Sequence, residues 1–268
     1  MRQLGIATEH KAFGIPIEDD LAAIKRAGFD CVFSTYSQSF DVDAAVKAAL
    51  ALGLYYETIH APFGRCGLEE NLNSIWVEGE HGEAYIRLLM DCVDACSRNG
   101  IEKCVLHNAV ATVPPPVSDI GKKRFAALLD YAESKNVHMA IENLESNEHL
   151  AALMSIAGDF HGFCWDCGHN LCYTPFTDMP ALYGDRLICT HIDDNKGITR
   201  PGYIHYTDDL HLMPFDGCLD WDWYAGKIKA TGYKGPLTFE LKTVAGLTPD
   251  QFYARAYERA VKLAEMCE

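Results

Sequence analysis

Residues 163–170 read FCWDCGHN, with an aspartate between two cysteines and a histidine three positions after the aspartate. Three chemistries compete for such a stretch: a redox dithiol, a zinc knuckle, or one corner of a metal site completed from elsewhere. A wider pattern favours the third. Acids and histidines recur at the ends of short β-rich runs, as His60, His107, Glu142, Asp166 with His169, His191 and Glu240. Mixed carboxylate and imidazole donors, with no thiolate required, suit Mn²⁺, Zn²⁺, Co²⁺ or Mg²⁺. A lone buried histidine is more often a satisfied core residue, but a polar residue ending six consecutive runs outweighs that reading for the set. Asp209 and His211 form a further Asp-x-His pair, which offers a second ion site or a substrate contact. The plainer reading of that pair alone is a solvated acidic loop.

Such residues work only if the fold gathers them. Apolar runs bounded by turn residues predict strands over 3–8, 31–36, 56–61, 103–108, 138–143, 163–168, 187–192 and 236–241. Apolar 3–4 periodicities predict helices over 17–28, 41–52, 77–98, 118–135 and 250–266, with shorter ones over 147–157, 177–184 and 220–231. Eight strand–helix repeats without a linker or composition break predict an α/β fold, one (β/α)8 TIM barrel domain over 1–268. A doubly wound open sheet is the main alternative, and it lacks a Gly-rich phosphate turn after the first strand. In a barrel the carboxyl ends of the strands share one face, with neighbours roughly 5 Å apart. Those acids and histidines then converge.

The same geometry bears on the cysteines. Side chains at i and i+3 of a strand point to opposite faces, so Cys164 shares a face with Asp166 and Cys167 points away. No second cysteine pair completes a zinc knuckle, and both read as small core residues. Loops 62–76 and 193–219 are long enough to be functional, and PPP at 114–116 stiffens a third. The aromatic GYIHY at 202–206, with Lys196 and Arg200, suits a small polar ligand, phosphorylated or free. Arg65 in the earlier loop is a third candidate anchor.

Acids outnumber bases 38 to 23, for a net charge of −15, and no basic block is present. That balance disfavours a nucleic-acid partner, which needs phosphate-neutralising cations. No window approaches twenty apolar residues and no secretory leader is evident, so no membrane association is expected. Eleven scattered cysteines predict a reducing, cytoplasmic setting rather than a disulfide framework. Assembly into a homo-oligomer stays open.

Several of these motifs resemble a known superfamily. IENL at 141–144, WDCGH at 165–169, HIDDN at 191–195, DLHLMPFDG at 209–217 and FELK at 239–242, preceded by HAPF at 60–63, are similar to the xylose isomerase-like barrels. They look most like the sugar phosphate isomerase/epimerase branch, among the relatives of the family 2 AP endonucleases. The resemblance implies a divalent-metal isomerase or epimerase acting on a small sugar or sugar phosphate through an enediolate. It implies Glu142, Asp166, His191 and Glu240 as metal ligands, Mn²⁺ or Zn²⁺ foremost, with Glu142 and Glu240 as the acid–base pair. It gives His169 a substrate contact. The epimerases place an arginine six after the metal histidine, where this chain has Gly197, leaving Lys196 or Arg200 to serve there. The superfamily also holds the endonuclease IV type of DNA repair enzyme with three zinc ions. That ligand set maps onto His60, His107, Glu142, Asp166, His169, His191, Asp209, His211 and Glu240, which makes a multi-zinc phosphodiesterase the alternative.

Overall fold

The computed structural model describes residues 2–200 and 202–268. Its strands are β1 (Leu4–Ala7), β2 (Cys31–Thr35), β3 (Tyr55–His60), β4 (Lys103–Leu106), β5 (His138–Glu142), β6 (Gly162–Asp166), β7 (Leu187–His191) and β8 (Leu237–Phe239). All pair in parallel and in chain order, with β8 returning to β1. The ring closes one residue past β7, where Ile192 bridges Phe239, donates to Thr238 O and accepts from Glu240 N. The result is a (β/α)8 barrel.

The helices are α1 (His10–Phe13), α2 (Ile17–Ala27), α3 (Val42–Ala51), α4 (Glu80–Arg98), α5 (Asp119–Ser134), α6 (Asn147–Ile156), α7 (Cys167–Tyr173), α8 (Met179–Tyr183), α9 (Trp221–Thr231) and α10 (Pro249–Met266). Side-chain caps start most of the longer ones, as at Asp41, Ser118, Ser146, Asp220 and Thr248. None is long and apolar enough to cross a membrane, among the described residues.

Period-2 alternation sorts each strand between two environments. Outward residues such as Ile59, Leu106, Met139, Ile141, Trp165 and Phe239 join the large core under the helices. Inward residues Val105, Ala140, Cys164 and Cys189 form a small separate cluster inside the ring. Two positions further along their strands come His107, Glu142, Asp166 and His191, so small side chains floor the site. Lower still, Lys103 Nζ lies 2.7 Å from the buried Glu57 Oε1, and Thr238 Oγ1 donates to the same carboxylate.

One boundary corrects the sequence reading. The expected strand 163–168 stops at Asp166, and Cys167 opens α7. Cys164 therefore points into the barrel for the reason expected, whereas Cys167 is a helical residue whose Sγ approaches Asp193 O at 3.3 Å. Every cysteine is free.

Candidate metal centre and substrate cavity

Asp166 explains the Asp-x-x-His spacing. It is the N-cap of α7, and its Oδ1 accepts from His169 N at 2.6 Å, which holds the His169 ring over the barrel mouth. Its Oδ2 has no hydrogen-bond partner. A register shift in β6–β7 before Cys164 then sets Asp166 directly opposite His191. Bulges of this kind often re-aim side chains beside functional sites.

Glu142, Asp166, His191 and Glu240 each bring a donor atom to one point, all within 4.8 Å of one another. His191 Nδ1 lies 3.0 Å from Glu142 Oε1 and 2.9 Å from Glu240 Oε2. One ring nitrogen supplies at most one hydrogen, so two carboxylates converging on it leave an acceptor unserved. Phe33 stacks on the His191 ring at 4.8 Å and fixes its plane. Glu142 also faces the other way. Its Oε2 is 3.3 Å from His60 Nε2 and 3.1 Å from His107 Nε2, and those two nitrogens are 3.2 Å apart. A third group, His169, Asp209 and His211, closes the arc. His211 Nε2 is 2.8 Å from Asp209 Oδ2, and His169 Nε2 is 3.5 Å from it.

The electrostatics follow from burial opposed by opposite charge. Burial alone would raise the Glu142 carboxyl, but His191, with His107 and His60, holds it well below the usual range. Glu240 is likewise drawn down to about 2 by His191 against its burial. Burial would lower the His191 imidazole, and Glu142 and Glu240 hold it well above its ordinary value. His107 goes the other way, to about 4, because burial prevails there. Asp166 is pushed up to about 7 by burial, with the Glu142 charge adding to it. A buried acid with an orphaned oxygen, beside two carboxylates sharing one ring nitrogen, fits a divalent cation. The donors are hard or borderline, as Mn²⁺ and Zn²⁺ prefer.

The loop after β7 is organised by an acid that sequence reasoning did not single out. Asp194 is fully buried and accepts from the backbone N–H of Asn195, Phe215, Gly217 and Leu219 and from Trp221 Nε1. A Cβ at Gly217 would sit 2.2 Å from Asp194 Oδ1, so only glycine lets the chain wrap this closely. Asp194 also bridges Leu212 in antiparallel register, which brings Asp209 and His211 over the barrel mouth. His211 takes a left-handed backbone, φ 45°, an uncommon conformation for a non-glycine residue. Asp193 Oδ2 is 3.6 Å from His211 Nδ1.

A cavity of about 400 Å³ opens above these groups. His60, His107, His169, Asp209, His211 and Glu240 line it, with Phe63, Val110, Leu144, Tyr173 and Tyr206 on its apolar walls. Three expected anchors do not reach it: Arg65, Lys196 and Arg200 are absent from the lining. Loops 62–76 and 193–219 project those side chains outward, while contributing Phe63 and Tyr206 to the walls. Lys242 and Glu145 line the cavity instead. Strand alternation marks Lys242, two residues past Glu240, in the sequence itself.

The chain matches the model of the xylose isomerase-like TIM barrel family over residues 21–266. The uncharacterised protein y4fM of Sinorhizobium fredii is 39% identical over 141 residues, 49% of this chain and 42% of that protein. A xylose isomerase-like TIM barrel/4-hydroxyphenylpyruvate dioxygenase fusion protein superimposes with a TM-score of 0.79 at 17% identity, over 99% of this chain and 43% of the fusion. The chain thus spans less than half the length of each of these two. A D-allulose 3-epimerase from Methylomonas sp., solved with D-allulose, gives 0.72 at 16% identity over 100% of this chain and 98% of that one. A xylose isomerase domain containing protein from Salmonella typhimurium LT2 gives 0.76 at 16% over 98% and 97%. Likeness at such identities shows the fold.

Proposed function

Because the chain belongs to the xylose isomerase-like TIM barrel family, we propose that it is a divalent-metal isomerase or epimerase of a small sugar or sugar derivative. The observation that carries the reading is the pair of glutamates, on β5 and just past β8, meeting at His191 Nδ1 from two sides. Several epimerases of ketoses share the fold, including the allulose enzyme above and an L-ribulose 3-epimerase.

Glu142, Asp166, His191 and Glu240 would hold the ion. Bound there, a divalent cation supplies Lewis acidity to the oxygens of an α-hydroxy carbonyl. The protein's own part is positioning and proton transfer. One glutamate removes the carbon-bound proton beside the carbonyl, leaving an enediolate, within the reach that general-base catalysis requires. The second glutamate, once it has taken up a proton from solvent, returns it to the opposite face and gives the epimer. Return to the neighbouring carbon, with the hydroxyl proton passing between the two oxygens, gives aldose–ketose isomerisation. His169, capped in place by Asp166, faces the substrate, and the apolar walls exclude water. Solvent-deuterium exchange into a panel of ketoses tests the reading, and a panel without any exchange rejects it.

A second reading has its own observation. Glu142 turns one oxygen to His191 and the other to His60 and His107, while His169, Asp209 and His211 form a separate triad. Three adjoining donor groups suit a multi-ion phosphoester hydrolase. Charge separates the two readings. Glu142, Asp166, Asp209 and Glu240 around one dication leave a net negative centre, whereas three dications make it positive. Metal analysis of the purified protein decides, since one ion per chain fits the isomerase and three fit the hydrolase.

A further inference from the structure

We propose that Lys242 anchors an anionic end of the substrate, which makes that substrate an acidic polyol, a sugar phosphate or a sugar acid, rather than a neutral sugar. The choice of a polyol rests on the isomerase reading above, but the pairing of an anion with Lys242 does not require turnover.

Among the described residues lining the cavity, Lys242 is the only lysine or arginine. Two hydrogen bonds fix its place. Its backbone N–H donates to His211 O at 3.0 Å, and its Nζ donates to Asp209 O at 2.7 Å. Lys242 is thereby tied to the segment carrying Asp209 and His211, on the Glu240 side of the cavity. An ammonium has three donors and no acceptor, so two hydrogens remain.

The charge itself is uncompensated at close range. Three lysines pair with carboxylates among the described residues, Lys103 with Glu57 and Lys135 with Asp94, both at 2.7 Å, and Lys227 with Asp178. Lys242, exposed at the rim, rests on a backbone carbonyl, as Lys25 does on Gly53 O, and forms no ion pair among the described residues; what sets it apart is its place on the cavity lining. Glu9 feels its field without pairing with it. A cation kept free at the edge of an acid-lined cavity is placed for an incoming anion. The wall formed by Phe63, Val110 and Leu144 offers such a group nothing. The cavity therefore has a donor-rich floor, an apolar wall for C–H faces, and one ammonium for the charged terminus.

The test uses the full chain loaded with Mn²⁺ and three probes with no aldehyde or ketone: ribitol, ribitol 5-phosphate and ribonate. Calorimetry should show one of the acidic probes binding about 10–100-fold tighter than ribitol, the range of a hydrogen bond to a charged group. The tighter of the two identifies phosphate or carboxylate as the terminus. Lys242→Ala should abolish the preference and Lys242→Arg should retain most of it. Lys242→Gln keeps a donor for Asp209 O without the charge, and should lose the preference while staying folded. Equal binding of all three probes overturns the proposal, as does an acidic preference that persists in the Ala and Gln variants. Deuterium exchange into ketoses reads the isomerase assignment separately, so failure of one leaves the other standing.

Discussion

Asp166 uses its two oxygens for two purposes, and that division makes it testable. Oδ1 caps α7, and Oδ2 is left for an ion. Asparagine caps helices as well as aspartate does. Asp166→Asn should therefore leave the fold and the His169 position intact while removing a ligand charge. We expect metal affinity to fall at least about 100-fold, since even the partners of metal ligands cost 10–100-fold when lost. Titration of the metal-free variant measures this, and unchanged affinity would remove Asp166 from the ligand set. The Asp-x-x-His spacing was visible in the sequence as a hint of metal chemistry. Its physical origin, a capping bond, was not, because a strand ending in an N-cap and a strand running on read alike.

The eight strands and their helices were legible to within a few residues because apolar period and turn chemistry agree along most of the chain. The four-residue α1 was one exception and α7 the other. Cys167, Gly168, Asn170 and Cys172 are all buried, so no polar face marks the helix. The cavity anchors were misplaced for a related reason: side-chain direction in loops has no period to read. Asp20 carries the prediction proper to this scale. It lies fully buried in the first turn of α2, accepting from Tyr253 OH and Glu9 N at 2.8 Å each. Burial raises its carboxyl from 3.8 to about 6 in spite of those bonds. The folded state thus holds the proton more tightly than the unfolded one. The stability this contributes is full below pH 3.8, is lost as pH rises toward about 6, and is absent above that. Asp20→Asn should not titrate. Its stability relative to wild type should therefore rise by on the order of 2 kcal/mol from about pH 4 to pH 7. Parallel denaturation curves at the two pH values would contradict this.

At the scale of the whole barrel, the end opposite the cavity is closed by charge rather than by apolar bulk. Glu57 is fully buried, and Lys103 is the one cation recorded against it among the described residues. Replacing one partner leaves the other charge buried and unpaired, at a cost of about 3–5 kcal/mol. Lys103→Met should lower the urea midpoint accordingly, and Lys103→Met with Glu57→Leu should recover much of the loss. A single variant as stable as wild type would show that solvent reaches Glu57.

The central claim concerns the barrel mouth, where two glutamates are presented to one carbon centre. Glu142 and Glu240 are both held in the ionised, proton-accepting form by His191. Positioned acid–base groups contribute about 10²–10⁴-fold. The most direct measurement is exchange of substrate C–H with D₂O, catalysed by wild type, Glu142→Gln and Glu240→Gln, each with metal content determined. Exchange is expected in wild type, with a loss of at least about 100-fold in each variant and the barrel still folded. Exchange undiminished in both variants would contradict it and place the base on another group, His169 first.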